Sequence, residues 1–129
     1  MRVLLDTHTF LWWVSEHGAR VSPLAREIIV DGANEVVMSV VSAWEIAIKV
    51  RAGGIDLPAA VEAYIPDRLH HHGFDVLQVG LEHAIRAGSL PMIHRDPFDR
   101  MLVAQAQVED LPILTADPAI GRYDVETIW

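Results

Sequence analysis

Four acidic residues, Asp6, Glu45, Asp99 and Asp117, carry the chemistry open to this chain. Asp6 closes a short leucine- and valine-rich run, and Asp117 follows a later apolar run ending at Thr115. Glu45 and Asp99 are expected in the first turns of two helices. In an open parallel α/β sheet, ligands gather beyond the carboxyl ends of the strands, which would put all these acids on one edge. Collecting carboxylates is unfavourable unless their pKa values rise or cations bind among them, and hard divalent ions with oxygen ligands suit the set. Mg²⁺ or Mn²⁺ held there can generate hydroxide from water and stabilise phosphate charge. Phosphodiester hydrolysis then needs no protein nucleophile.

Taken singly, each acid has an ordinary structural explanation. Asp6 can simply end a strand, Glu45 can pair with Lys49 one helical turn on, and Asp117 before Pro118 is a common turn sequence. Asp96 and Asp99 together read as a helix cap followed by an acid three positions later; the cap is assigned to Asp96. The combination is what points to a cation site.

Neighbouring residues admit two roles each. Thr7 and Thr115 either hydrogen-bond the carboxylates or a bound water, or bond nearby backbone. Arg100 and Arg95 either contact phosphates or ion-pair with the acids. Lys49 and Arg51 either meet a nucleic-acid backbone or lie on a solvated helix face. His8 is expected partly buried beside Trp12 or Trp13, since Mg²⁺ prefers oxygen. The run His70, His71, His72 is read as a solvated helix end, because consecutive helical side chains diverge. Trp12, Trp13 and Trp44 suit the core or an interface better than base stacking, with Trp13 assigned to an interface.

The elements that must position these groups alternate. Arg2 to Asp6 reads as a strand leading into a helical turn at Phe10 to Trp12. Ser22 and Pro23 start a helix that ends at Gly32, Glu35 to Ser39 is a second strand, and a helix from about Ser42 stops at Gly53 and Gly54. A helix from near Pro58 is expected to be disturbed by Pro66. Phe74 to Val79 is a third strand, followed by a short helix over about 81–87. Asp96 and Pro97 open a helix to about Glu109, Ile113 to Thr115 is a fourth strand, and Val125 to Ile128 a candidate edge strand. With no hairpin signal between them, these predict one α/β domain over residues 1–129, a mainly parallel sheet flanked by helices.

A chain of 129 residues, 51% apolar, suits a single core. No apolar run approaches the roughly 18 residues of a membrane helix, and Asp6 and His8 break the one N-terminal stretch that mimics a leader, so a cytoplasmic protein is expected. The absence of cysteine excludes disulfides, thiolate ligands and a cysteine nucleophile. A net charge of −8 excludes a broad basic grip on nucleic acid, unless cations neutralise the acidic edge and then attract phosphate.

The segments LLDTHTFLWW at 4–13, SAWEIAIKVRAG at 42–53, HRDPFDRMLVAQA at 94–106 and LTAD at 114–117 together resemble the VapC-type toxins of the PIN-domain family. The resemblance spans nearly the whole chain in the family's order. It implies that Asp6, Glu45, Asp99 and Asp117 are the metal-binding catalytic acids of an Mg²⁺- or Mn²⁺-dependent endoribonuclease that hydrolyses RNA with a metal-activated water. It further implies strand order 3-2-1-4-5, a homodimer, and a separate antitoxin chain whose C-terminal segment covers the acidic groove. The alternative is a PIN-like binding module with little or no nuclease activity. An aspartyl phosphatase would need an acid where His8 stands, and a phospho-acceptor domain a late lysine, whereas Lys49 is the only one.

Overall fold

The computed structural model describes all 129 residues. β1 (Arg2–Leu5), β2 (Glu35–Ser39), β3 (Asp75–Leu77), β4 (Ile113–Leu114) and β5 (Thr127–Ile128) form one sheet in the order β3-β2-β1-β4-β5, every neighbouring pair parallel. The helices are α1 (Thr7–Ser15), α2 (Pro23–Val30), α3 (Val40–Arg51), α4 (Val61–His72), α5 (Leu81–Ser89) and α6 (Pro97–Glu109). A 3₁₀ turn at Ile120–Arg122, with no counterpart in the sequence-based expectation, leads into β5.

The central strand shows why the sheet is layered. Val3, Leu4 and Leu5 are all fully buried, as a strand covered on both faces must be. Alternate side chains point to opposite faces. Val3 and Leu5 join Phe10, Met38 and Ile46 in a core beneath α1 to α4, whereas Leu4 joins Val37, Leu102 and Ile113 in a second core on the α6 side. Register then fixes the edge that matters: Leu5 lies opposite Met38 on one side and Leu114 on the other. The next residues, Asp6, Ser39 and Thr115, consequently emerge side by side.

Several boundaries differ from expectation for physical reasons. α3 begins at Val40 rather than Ser42, because the Ser39 hydroxyl caps it by accepting from Val41 N at 3.1 Å. Glu45 therefore stands in the second turn, not the first. β3 is shorter than the apolar run around it, and α4 starts after the Pro58 bend rather than at it. Pro66 does not interrupt α4. The donor it lacks would have met the Glu62 carbonyl, and both residues are exposed, so that carbonyl is not left in an apolar interior. No helix is long and apolar enough to cross a membrane.

An exposed proline inside a helix still costs stability. Pro66→Ala is expected to raise unfolding stability by about 1–2 kcal/mol, the helix gain being partly offset by a freer unfolded chain. Urea denaturation followed by circular dichroism measures it; an unchanged or lower midpoint would show that Pro66 costs α4 no stability.

Candidate active site at the carboxyl edge of the sheet

Asp6 is held from two sides. Its Oδ1 accepts from Thr9 N at 2.7 Å and so caps α1, and its Oδ2 accepts from the Thr115 hydroxyl. Thr115 Oγ1 in turn accepts from Asp117 N at 3.0 Å, and Asp117 Oδ1 from Ala119 N at 2.9 Å. A buried threonine thus locks the first acid to the last. Thr7 takes neither of the roles expected for it: its hydroxyl donates to Ser42 Oγ at 2.9 Å, pinning α1 to α3. Asp6 and Asp117 line one shallow cavity with His8, Trp12 and Ala116.

Glu45 is buried at 3% exposure, where a free carboxylate would be costly. Its Oε2 accepts from the Lys49 ammonium, while Oε1 has no hydrogen-bond partner. The bond to Glu45 raises the Lys49 pKa, and Asp96 and Asp99 add to the effect. Lys49 therefore belongs to the acidic cluster.

Asp99 is the strained member. Its pKa is pushed to about 6, first by burial, then by Asp96, with smaller pushes from Asp117 and Glu45; the contact with His94 works in the opposite direction. Glu45, Asp96 and Asp117 are therefore each within electrostatic reach of Asp99. Asp96 is the helix cap, its Oδ1 accepting from Phe98 N at 2.9 Å and Asp99 N at 3.0 Å. No three acidic or imidazole side chains close around a single point; Asp6 and Asp117 line the shallow cavity, and Asp99 feels Asp117 and Glu45 through space. The donor set nonetheless fits a hard divalent cation: oxygen donors, a raised carboxylate pKa and one buried carboxylate oxygen lacking a partner all call for positive charge.

Other expected contacts fall elsewhere. Arg100 is buried and neither pairs with an acid nor faces solvent; its guanidinium donates to the backbone carbonyls of Ala87, Leu90 and Pro91 and to Tyr123. Arg95 and Arg51 are exposed. His8 is exposed, not partly buried, with its ring 5.8 Å from Trp12. The histidine run is only in part a solvated end: His70 and His71 are exposed, but His72 stacks on Phe74 at 5.4 Å, and burial lowers its pKa. Trp13 and Trp12 are half-buried, whereas Trp44 is 61% exposed, edge-on to Phe98 at 5.2 Å. His94 and Tyr123 escaped the sequence reading. The only available signal was the place of His94 at the head of the HRDPFD segment.

The chain is 40% identical to Ribonuclease VapC16 of Mycobacterium tuberculosis over 58 residues, 45% of this chain and 41% of that relative, so it spans less than half of the curated relative's length. Its fold is similar to the crystal structure of VapBC2 from Rickettsia felis bound to a DNA fragment from their promoter, with TM-score 0.75 and 12% identity over 100% of this chain and 99% of that one. It is likewise similar to VapBC-5, a member of the VapBC family of toxin-antitoxin systems from Mycobacterium tuberculosis, with TM-score 0.61 and 22% identity over 98% and 97% of the two chains. At those identities the likeness is one of fold. The profile of the PIN domain matches residues 3–126, nearly the full length, and the chain belongs to the PIN-domain family.

Proposed function

We propose that this PIN domain is a divalent-metal-dependent endoribonuclease, the toxin of a toxin–antitoxin pair. The observation that carries the reading is the buried Glu45 Oε1, which lacks any partner beside an Asp99 already pushed to about 6. Such a pair is destabilising in isolation and becomes favourable when a cation ligates it. The name of the ribonuclease relative and the toxin–antitoxin complexes among the structural neighbours support the same assignment.

In this mechanism Asp6, Glu45, Asp99 and Asp117 would hold Mg²⁺ or Mn²⁺. The ion, when bound, lowers the pKa of water and offsets phosphate charge. Thr115 ties Asp6 to Asp117, Asp96 caps the start of α6 at the Asp99 amide, and Lys49 balances the remaining charge of Glu45. RNA enters an edge that would repel it without the cation, given the chain's net charge of −8. The partners in this reading are a second copy of the chain and a cognate antitoxin covering the groove, all in the cytoplasm.

Purified chain free of antitoxin is expected to cut a mixed structured RNA with Mg²⁺ or Mn²⁺ and not with EDTA. Asp6→Asn, which keeps the cap on α1, and Asp99→Asn should each slow cleavage by at least about 100-fold. Wild type that binds RNA or antitoxin yet never cuts would favour the binding-module reading.

The same site has a stability signature. The native pKa of Asp99, about 6, lies above the ordinary carboxylate value. Native chain therefore holds this proton more tightly than unfolded chain, and stability is lost as pH rises from roughly 4 through 6. Without metal, Asp99→Asn should raise unfolding stability above pH 7 by about 1 kcal/mol after solvent screening, seen as a higher Tm, with no gain below pH 4. Mn²⁺ should raise the Tm of wild type more than that of the variant. A variant less stable than wild type at every pH would contradict the charge-repulsion account.

A further inference from the structure

Asp99 is approached from outside the acidic cluster by a chain of hydrogen bonds that starts at a buried guanidinium. Arg100 Nη1 donates to the Pro91 carbonyl at 2.9 Å and to the Tyr123 hydroxyl at 3.1 Å, and Nη2 donates to the Leu90 carbonyl at 3.1 Å. The Tyr123 oxygen lies 2.7 Å from His94 Nδ1, and His94 Nε2 lies 3.3 Å from Asp99 Oδ2. These contacts join the loop before α6, the start of α6 and the turn before β5.

Proton accounting along this chain selects one arrangement. A guanidinium only donates, so the tyrosine oxygen accepts from Arg100 and keeps its single proton to give. Two acceptors are in range, His94 Nδ1 at 2.7 Å and the His94 carbonyl at 3.5 Å, and the shorter contact takes the proton. An Nδ1 that accepts carries no hydrogen. The neutral imidazole must then bear its hydrogen on Nε2, the nitrogen facing Asp99, and an ionised carboxylate can only accept.

We infer that Tyr123, oriented by Arg100, fixes His94 as the Nε2–H tautomer, and that His94 is thereby a positioning residue that donates to Asp99 Oδ2 and leaves the other oxygen to ligate the cation. A carboxylate with one oxygen pinned loses less rotational freedom when it binds an ion. Partners of this kind behind a metal-ligating group typically change affinity by about 10–100-fold when removed. The ligation half of the inference rests on the function proposed above; the tautomer half does not.

The test begins with metal-free protein carrying ¹⁵N-histidine, at alkaline pH where imidazoles are neutral, with His94→Gln identifying the His94 signals by their loss. Long-range ¹H–¹⁵N correlations should show His94 in wild type as Nε2–H, with that preference lost in Tyr123→Phe. Calorimetric titration with Mn²⁺ then compares wild type, His94→Ala and His94→Gln. The alanine variant should bind about 10-fold more weakly. Glutamine, which keeps an N–H donor in place of Nε2, should recover most of that loss, a rescue that a purely structural role would not show. An Nδ1–H tautomer in wild type, or unchanged Mn²⁺ affinity in His94→Ala, overturns the inference. Wild type that holds the Nε2–H tautomer but binds no Mn²⁺ overturns the ligation role together with the metal-site reading, which separates that failure from a wrong tautomer.

Discussion

Repulsion among buried carboxylates is the constraint around which this molecule is organised. Burial first and Asp96 second drive the Asp99 pKa up to about 6, and Glu45 and Asp117 add to the push. None of these groups would gather spontaneously. They are gathered because β1, β2 and β4 run parallel with Leu5 opposite both Met38 and Leu114, and that register is set by apolar packing on two faces of the sheet. Hydrophobic burial, at roughly 25 cal/mol per Å², is large enough over two cores to hold an electrostatically unfavourable edge in place.

The contacts around the edge divide the remaining work. Thr115 and Asp96 arrange acids without adding a donor to the groove, each using one oxygen to satisfy neighbouring groups. Asp6 has two duties, capping α1 and facing the groove, so the start of that helix and the shape of the site are fixed by one side chain. Arg100, buried among carbonyls, supports the segment that carries His94 rather than meeting phosphate.

Much of this was legible in the sequence because it is local. The Asp96–Pro97 start of α6, the Ser22–Pro23 start of α2 and the Asp117–Pro118 turn are short-range signals, and the structure shows each of them. The PIN-domain membership and the parallel order 3-2-1-4-5 followed from motifs distributed over nearly the whole chain. What escaped is non-local. The helix was expected only from about Ser42 because Val40 and Val41 are β-branched, yet the Ser39 cap and burial of Val41 make them helix and move Glu45 into the second turn. His94 meets Tyr123 across 29 residues, and no spacing rule reports such a pair. Arg100 resembled a surface cation because nothing nearby in sequence shows the ring of carbonyls that closes around it.

Lys49 gives the acidic edge a further property. Its ammonium is tethered one helical turn from Glu45, and its pKa is raised by Glu45, Asp96 and Asp99 together. The polypeptide thus carries its own covalently attached counter-ion. In the site proposed above, an incoming divalent ion would meet an ammonium already bonded to one Glu45 oxygen, with the other oxygen still unpartnered. Binding there would be in part an exchange between two cations, one soluble and one that can only swing aside on its four-carbon stem.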